Sequence, residues 1–405
     1  MEDGPQTVSG RPTRRFVPAT PAVSAGVWRW RGELKRALPA LWLFAAARLA
    51  GVLMVTAWSL HLGRHPRNVL GLEWDGGWYW HIARYGYGTV VAAKSGHGVV
   101  YNDLAFFPLF PGLIHGLNTV LPIGPVNAAL VISWIAAAVA AWGVYAVGEL
   151  LHGRRVGLAL AALWALLPHA VVLTMAYTES LMTAFAAWAL YAALTHRWLT
   201  AGTLAALAGL CRPNGFTVAA AVITAAAAHL WQRRREGRPT TAPRAWVAML
   251  LAPVGWLGYV AWVGLRTHDL TGYFRVQRLW GSRFDFGHYT AHMFKHLIVG
   301  HETLVVYLSA GIVLGCVLLF VLGVLDRQPL PLLVYSGLLL VIALGDAHFF
   351  TSRPRLLLPA FPLLLPFALS LAHAQRRTVV VLLIGLAGFS LFYGTYLLTV
   401  SHQAL

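Results

Sequence analysis

Acidic side chains are scarce in this chain, so those beside apolar segments are the first candidates for acid–base chemistry. Aspartate and glutamate together number 14 among 405 residues. Asp75 is the leading candidate because Trp74 and Trp78 flank it and two glycines behind it permit close backbone approach. A carboxylate held there can accept the proton of an attacking hydroxyl group. Alternatively, Asp75 caps a helix that begins near Gly77, a common role for aspartate.

Three arginines could bind a phosphate group. Arg353 and Arg355 stand just before an apolar segment, and Arg212 lies in a break between two others. A guanidinium group can donate two hydrogen bonds to one phosphate group, and its positive charge stabilises phosphate as a leaving group. The alternative is that these arginines extend toward lipid headgroups, the commoner role of arginine at the end of a span. Arg48 differs because it lies well inside an apolar segment, where an arginine is by default functional or buried in the bundle.

Two further motifs place polar side chains where apolar segments begin or break. Tyr177-Thr178-Glu179-Ser180 opens one segment, and Arg212-Pro213-Asn214-Gly215 interrupts a long apolar stretch. Broken helices are tolerated in lipid where they line a cavity or are buried in protein, so both motifs could line one site. The alternatives are a helix cap with glutamate in the first turn, and an ordinary tight turn.

Metal-binding and nucleotide-binding motifs are not evident in the sequence. His288, His292 and His296 fall on one helical face, yet a solvated face is the commoner meaning of that spacing. A divalent metal is therefore compatible with the sequence but not indicated by it, and no other cofactor is predicted. Walker, Rossmann and nucleophile-elbow motifs are absent from the sequence.

The composition of the chain is typical of a polytopic membrane protein. It is 58% hydrophobic and 11% charged, whereas soluble domains carry about 25% charged residues. Apolar runs of about 20 residues recur from Pro39 almost to the C-terminus, which predicts an all-α protein that crosses a membrane many times. The formal charge of +17 is assigned to arginines that orient the spans, not to nucleic-acid binding. We predict eleven spans, at about 38–60, 126–149, 156–176, 179–196, 198–211, 214–231, 245–265, 302–325, 329–345, 355–374 and 378–399.

Arginine placement orients these spans. If Phe106–Pro122 is a juxtamembrane or re-entrant element, every short cytoplasmic loop is basic, including the one that holds Arg233–Arg235. Residues 1–37 are then a disordered basic cytoplasmic tail, and residues 38–405 form the membrane domain. Two sizeable loops, at about 61–125 and 266–301, lie on the outer side with the C-terminus.

All the polar motifs described above fall on this outer side. In the first outer loop, helical spacing of Trp74, Trp78, Ile82 and Tyr85 predicts an amphipathic helix at the membrane interface. Because scattered loops that share one face can meet, we predict that they form the walls of one site.

The ordered set of motifs resembles the PIG-V-like family, which comprises the second mannosyltransferase of glycosylphosphatidylinositol assembly and its bacterial relatives. The resemblance covers residues 40–375. Thr178 and Pro213 stand where the family motifs have serine, which chiefly questions the identity of the acceptor. The matching motifs are, in order, Trp74-Asp75, His81-Ile82-Ala83 with Gly86-Tyr87, Ala105 to Pro111, Tyr177 to Ser180, Arg212 to Gly215, Tyr273-Phe274 with Gln277 and Trp280, and Arg353 to Pro359.

This resemblance implies a GT-C-type helical bundle with juxtamembrane helices in its outer loops and an active site on the outer side. It implies a polyprenyl-phosphate sugar donor, with mannose as the expected sugar and Asp75 at the position of the catalytic carboxylate. The donor phosphate would be held by Arg353, Arg355 and Arg212. The substrate pocket would comprise Trp74, Tyr177, Glu179, Asn214, Tyr273 and Gln277.

The prediction is thus an inverting membrane mannosyltransferase that acts on an extracytoplasmic hydroxyl group. The acceptor stays open between a glycan, a glycolipid and a protein; membrane lipids are expected partners and nucleic acid is not. One alternative is a transporter or flippase for a lipid or lipid-linked sugar, which Arg48 and the break near Pro213 also suit. The other is a GT-C enzyme with a different lipid-linked sugar, such as arabinose or aminoarabinose.

Overall fold

The computed structural model describes residues 30–92 and 100–401 of the chain. These residues form a helical bundle and one short antiparallel hairpin, made of β1 (Val90–Ala92) and β2 (Val100–Asn102). The hairpin belongs to the first predicted outer loop and lies outside the helical pattern that the sequence predicts. Most of the predicted cytoplasmic tail falls outside the described residues, and the first helix already begins at Trp30, before the predicted boundary.

The N-terminal half of the described chain contains the two longest helices, Trp30–His61 and Pro125–His152. Its helices are α1 (Trp30–His61), α2 (Pro66–Gly71), α3 (Asp75–Tyr85), α4 (Leu109–Val120), α5 (Pro125–His152), α6 (Arg154–Ala165), α7 (Glu179–Leu194), α8 (Trp198–Gly209) and α9 (Phe216–Arg235). Short 3-10 segments lie at Asp103–Ala105, Ala170–Thr174 and Pro213–Gly215.

The C-terminal half carries the second outer loop and the last helices of the bundle. Its helices are α10 (Pro243–Leu251), α11 (Val254–Thr267), α12 (Gly272–Leu279), α13 (His288–Val299), α14 (Leu304–Leu325), α15 (Leu330–Gly345), α16 (Arg353–Leu356), α17 (Leu365–His373) and α18 (Arg376–Thr399). Further 3-10 segments lie at Phe350–Ser352 and Phe361–Leu364.

Length and composition identify the helices that can cross a bilayer. Within the described ranges, six helical stretches are long and apolar enough, and a seventh is possible if a pair bent by 81° counts as one span. The remaining predicted spans match the shorter apolar helices α7, α8 and α15, and α6 with the 3-10 segment that follows it. The chain is thus a multi-pass membrane protein, while the count of eleven crossings stays a prediction. The six stretches are Gly32–His61, Pro125–His152, Pro213–Arg235, Pro243–Thr267, Leu304–Leu325 and Arg376–Thr399.

Two segments predicted as continuous spans are broken, while the span predicted at 245–265, divided between α10 and α11, still counts as one stretch that can cross a bilayer. The span predicted at 156–176 is helical only to Ala165, and the span predicted at 355–374 is divided between α16 and α17. Both corrections have the same cause, because proline lacks the backbone N–H and disfavours helix in the residue before it. Pro168 lies in the first segment and Pro359 in the second.

Small residues let the central helices approach closely. α5 packs against both α6 and α7. A Cβ atom on Gly148 of α5 would lie 2.8 Å from the Cα atom of Gly157 on α6, so the two backbones touch at this point. Close backbone approach is the usual basis of helix association in lipid, where apolar side chains gain nothing by leaving the membrane. The central helices thereby form a rigid support for the loops at their ends.

Candidate active site

Two carboxylates and two arginines from distant parts of the chain form one ion-paired group. Arg355 Nη2 pairs with Asp75 Oδ2, and Arg355 Nε donates a hydrogen bond of 2.5 Å to Glu179 Oε1. Arg212 Nη1 pairs with the same Glu179 oxygen. We call Asp75, Glu179, Arg212 and Arg355 the ion-pair cluster. The loops that carry these residues therefore converge, as the sequence predicts.

Burial differs across the ion-pair cluster. The side chain of Glu179 is 1% exposed and that of Arg212 is 8% exposed, whereas the Asp75 side chain is 23% exposed. Buried charges are tolerated when they are paired, so Glu179 and the two arginines depend on one another. Asp75 is the member of the cluster that solvent reaches most easily, and a substrate would meet it first.

Aromatic and hydroxyl side chains also contact the two arginines of the cluster. The guanidinium carbon of Arg355 lies 4.6 Å from the centroid of the Tyr177 ring, which is a cation–π contact. Arg212 Nη1 donates to Thr178 Oγ1 over 3.3 Å, and that hydroxyl lies 3.2 Å from Tyr79 OH. Sequence reasoning did not select Tyr79. Its position one helical turn after the leading carboxylate was the available signal, because residues at i and i+4 share a helix face.

The backbone around Trp74 fixes where Asp75 lies. Trp74 has φ 45° and ψ −113°, a conformation that residues other than glycine rarely adopt. A Cβ atom on Gly76 would lie 2.6 Å from the Gly71 carbonyl oxygen, so α3 can start against the end of α2 only with glycine there. Close approach at this position, which the sequence predicts, is confirmed.

The alternative role of Asp75 as a helix cap is wrong. The helix begins at Asp75 itself, Trp74 occupies the N-cap position, and no side chain accepts a capping hydrogen bond there. The carboxylate pairs with Arg355 instead. Asp75 still lies in the first turn of α3, where the partial positive charge of the helix end favours a carboxylate.

Arg353 lies two residues before Arg355 but outside the ion-pair cluster. Its side chain is fully buried, with hydrogen bonds of 2.7 Å from Nη1 to Thr290 Oγ1 and from Nη2 to the Asp346 carbonyl oxygen. Its guanidinium carbon lies 4.6 Å from the centroid of the Phe350 ring. These contacts join α13 and the end of α15 to α16, and none of them supports the predicted role of Arg353 in phosphate binding.

Tyr273 and Gln277 also lie away from the ion-pair cluster. Gln277 Nε2 donates to Tyr273 OH over 2.9 Å and to the Ala105 carbonyl oxygen over 3.2 Å. Tyr273 is buried, with its ring edge toward Phe107. Both side chains therefore join the second outer loop to the first. They are connected to the cluster only through intervening packing, in which Phe106 lies against Tyr79.

Asn214 and Trp74 lie close in sequence to members of the ion-pair cluster. Asn214 follows Arg212 by two residues, on the 3-10 segment between α8 and α9, and its Oδ1 atom is buried without a hydrogen-bond partner in the described structure. Glu179 Oε2 is buried and unpartnered in the same way. Trp74 is half-buried beside Asp75. Other buried polar atoms of the described structure also lack partners, and a ligand with hydroxyl groups would satisfy these two.

Arg48 has a structural explanation that the sequence could not supply. Its guanidinium group donates to the Ala170 carbonyl oxygen and, over 2.5 Å, to the Ala165 carbonyl oxygen. These carbonyls belong to the break after α6, where the helix no longer supplies donors. In lipid such groups must be satisfied by protein. The side chain thus compensates for the broken helix, which removes one of the observations that suited transport.

The other acidic side chains of the outer loops have local partners. Glu73 pairs with Arg64, and Asp103 Oδ2 accepts backbone hydrogen bonds from Gly88 and Thr89. In the second outer loop, hydrogen bonds from the backbone and hydroxyl of Thr271 lower the pKa of the Asp269 carboxyl below its usual range. Glu302 lies 3.2 Å from His296 Nδ1.

The described residues contain no group of three or more histidine, cysteine, aspartate and glutamate side chains placed to hold a metal ion. The rings of His292 and His296 stack with their centroids 6.5 Å apart.

Comparison with known proteins places the chain among membrane glycosyltransferase folds. Residues 108–262, less than half of the chain, match the family of dolichyl-phosphate-mannose-protein mannosyltransferases. No curated protein matches. The crystal structure of ArnT from Cupriavidus metallidurans bound to undecaprenyl phosphate is similar, with a TM-score of 0.51 and 14% identity, over 85% of this chain and 62% of that one. The apo oligosaccharyltransferase of Archaeoglobus fulgidus gives a TM-score of 0.48 and 13% identity, over 89% of this chain and 56% of that one.

The likeness to ArnT is one of fold, because the identity is low. The predicted GT-C-type helical bundle is confirmed, and the chain spans 62% of the length of ArnT. The finer assignment to the PIG-V-like family is not confirmed by these comparisons.

Proposed function

We propose that this protein is a membrane glycosyltransferase that transfers mannose from a polyprenyl-phosphate lipid to an extracytoplasmic hydroxyl group. The observation that carries the proposal is the ion-pair cluster, in which the partly exposed carboxylate of Asp75 pairs with Arg355, and Arg355 shares the buried Glu179 with Arg212. The family match over residues 108–262 and the GT-C-type fold support the reaction class. The resemblance of the ordered motifs to PIG-V-like enzymes supports mannose.

Asp75 acts as the general base in this mechanism. The acceptor hydroxyl gives its proton to the carboxylate as its oxygen forms a bond to the anomeric carbon of the sugar. The bond between that carbon and the phosphate oxygen breaks at the same time, and its electron pair stays on the phosphate. A single displacement of this kind inverts the anomeric centre. Most of the rate enhancement comes from positioning and charge neutralisation, because a phosphate ester leaves readily.

Arg355, with Arg212 behind it, neutralises the charge that develops on the phosphate. Both guanidinium groups are held by Glu179, and Arg355 also pairs with the partly exposed carboxylate of Asp75. The sugar is oriented by the unpartnered acceptors Glu179 Oε2 and Asn214 Oδ1, which need hydroxyl donors. Trp74 and Tyr177 form the apolar sides of the pocket. Arg353, Tyr273 and Gln277 take no direct part in this scheme, because their contacts hold the surrounding loops together.

The site faces the outer side of the cell membrane, with the N-terminus in the cytoplasm. The arginine-rich loop near Arg233–Arg235 supports this orientation, because short basic loops stay cytoplasmic. The acceptor is a glycan, a glycolipid or a protein on that side.

The test is product formation by membranes that contain the protein. Membranes are incubated with labelled polyprenyl-phosphate mannose, and the label is followed into a new glycoconjugate, with polyprenyl-phosphate arabinose and aminoarabinose as parallel donors. We expect mannose transfer that Asp75→Asn reduces by at least about 100-fold, since general base catalysis contributes roughly 10²–10⁴-fold.

The outcomes separate the alternatives. Transfer from arabinose or aminoarabinose lipid alone would keep the reaction class and replace the sugar. Movement of labelled lipid across the membrane without a new glycosidic bond would favour transport. Near-normal transfer by the Asp75→Asn protein would overturn the assignment of the base.

A further inference from the structure

One arginine serves both the proposed base and the proposed phosphate site. Arg355 Nη2 holds Asp75, the side chain that must accept a proton, while its Nε holds Glu179. While Arg355 Nη2 pairs with Asp75 Oδ2, neither atom is available for the contact that the proposed reaction needs from it. The phosphate and the base therefore compete for this one contact.

Burial decides which of the two carboxylates can give up the arginine. The Glu179 side chain is 1% exposed, and it binds Arg212 through the same oxygen that binds Arg355. Water cannot reach this buried carboxylate to replace a lost hydrogen bond, so giving up Arg355 there is unfavourable even though Arg212 remains. The Asp75 side chain is 23% exposed, so water can replace the arginine there at a much lower cost.

The two carboxylates contact different nitrogen atoms of Arg355. Because Glu179 binds Nε and Asp75 binds Nη2, the second contact can open while the first keeps the guanidinium group in place. The Tyr177 ring, 4.6 Å from the guanidinium carbon, supports the same orientation. Glu179 is thus a positioning residue that holds Arg355 ready for a new anion.

We propose that the lipid phosphate displaces Asp75 from Arg355 when the donor binds. Donor binding thereby releases the Asp75 carboxylate, which acts as the base. The inference rests on the proposed function and concerns its regulation. Before the donor arrives, Asp75 and Arg355 neutralise each other. When the phosphate takes the Nη2 contact, the carboxylate becomes free to accept a hydrogen bond from the acceptor hydroxyl. Glu179 and Arg212 remain paired throughout. The base is thereby presented only when a leaving group is already bound.

The exchange predicts that a variant which cannot catalyse transfer binds the phosphate more tightly. Asp75→Asn removes the competitor for Arg355 and leaves the arginine bound to Glu179. The probe is farnesyl phosphate, with farnesol as the uncharged control, titrated into the purified full-length protein in detergent. We expect the dissociation constant for farnesyl phosphate to fall about tenfold in Asp75→Asn, with no change for farnesol.

The matched control is Glu73→Gln, because Glu73 lies two residues away and pairs with Arg64 instead of the ion-pair cluster. Its side chain is 31% exposed, close to the exposure of Asp75. This substitution removes the same charge from the same loop, so a general electrostatic effect would appear in both proteins. We expect its dissociation constant to stay within about twofold of the wild-type value.

A double-mutant cycle with Arg355→Gln separates exchange from attraction through space. We expect Asp75→Asn to bring no gain in affinity when Arg355 is absent. An equal gain in that background, an equal gain from Glu73→Gln, or no gain from Asp75→Asn alone would each overturn the exchange. If Arg355→Gln does not fold, the comparison of Asp75→Asn with Glu73→Gln decides whether the exchange occurs.

The binding experiment also distinguishes this inference from the proposed function. If the wild-type protein binds farnesyl phosphate no better than farnesol, the phosphate-linked donor and the exchange both fail. If the wild type prefers the phosphate but Asp75→Asn does not bind it more tightly, the exchange alone fails.

Discussion

Arg353 and Arg355 stand two residues apart on the four-residue helix α16, yet their surroundings differ completely. Arg355 is bound by two carboxylates, the partly exposed Asp75 and the buried Glu179. Arg353 is fully buried and is bound by a hydroxyl and a backbone carbonyl, with an aromatic ring against its face. Ionised partners that a substrate anion can replace indicate a functional site, whereas neutral partners inside the protein indicate a structural joint. Under the proposed function, the two arginines therefore differ in role because their partners differ.

Among the variants that test this comparison, Arg355→Lys should lose the most activity. Lysine keeps the charge but cannot bridge Asp75 and Glu179, because it lacks the planar fork of the guanidinium group. We expect kcat/KM for glycosyl transfer to fall by about 100-fold, while the unfolding temperature, lowered by the altered contact to the buried Glu179, stays above the assay temperature. Transfer assays and thermal unfolding in detergent measure the two quantities. Activity within threefold of wild type, or a loss explained by unfolding, would contradict the role of Arg355 in glycosyl transfer.

Arg353→Lys should show the opposite pattern. A lysine ammonium group cannot reach both Thr290 Oγ1 and the Asp346 carbonyl oxygen, so a buried hydrogen-bond acceptor loses its donor. We expect the free energy of unfolding to fall by about 2 kcal/mol while the affinity for farnesyl phosphate is unchanged. Denaturation and ligand titration of the same preparation test this. Weaker phosphate binding at unchanged stability would restore Arg353 to the phosphate site.

The sequence predicted that polar loops from remote segments meet, but it could not assign partners within them. Apolar runs and proline or glycine breaks define helices locally, and these account for most of the fold. The contact between Asp75 and Arg355 joins residues 280 positions apart, and nothing local specifies it. Residues i and i+2 of a helix do not face the same side, which separates Arg353 from Arg355 on α16. The span was predicted to begin at 355, so this rule could not be applied to Arg353 from the sequence.

The breaks in two predicted spans show a similar limit. Pro168 and Pro359 were visible in the sequence, but an apolar run that contains proline can be a kinked span or two separate segments. The choice depends on whether the freed carbonyls find donors elsewhere. After α6 they find Arg48, which is more than a hundred residues away along the chain. Its partner was unpredictable for that reason, although its position inside the first span marked it as unusual.

Arg48→Met extends the comparison to a second arginine with neutral partners. Methionine fills a similar volume, but it leaves the carbonyls of Ala165 and Ala170 without the donors that Arg48 supplies. We expect a loss of about 2 kcal/mol in the free energy of unfolding and unchanged affinity for farnesyl phosphate. Ser390→Ala is the matched control, since it removes one uncharged hydrogen bond to the Leu167 carbonyl oxygen in the same region, worth about 1 kcal/mol. Equal losses in the two variants would show that the charge at position 48 adds nothing.

The exposed pair of Asp269 and Arg275 in the second outer loop should contribute least to the stability of the folded protein. Their side chains are 27% and 53% exposed, and Nη1 of the arginine lies 3.1 Å from Asp269 Oδ2. Hydrogen bonds from Thr271 lower the pKa of the Asp269 carboxyl in the folded protein. The carboxylate therefore stabilises the folded state above the pKa of the unfolded chain, about 3.9 for aspartate. That contribution is lost as the pH falls through the lower folded-state pKa.

Asp269→Asn tests that contribution by thermal unfolding at neutral pH and on acidification. We expect the variant to unfold no more than about 2 °C below the wild type at neutral pH, because solvent screens an exposed pair. The difference should shrink below about pH 4, where the wild-type carboxylate also becomes neutral. A difference that widens on acidification would contradict the pKa direction. The affinity of this variant for farnesyl phosphate should be unchanged, because the pair lies outside the ion-pair cluster. A loss of that affinity would show that exposed and buried carboxylate–arginine pairs do not differ in function.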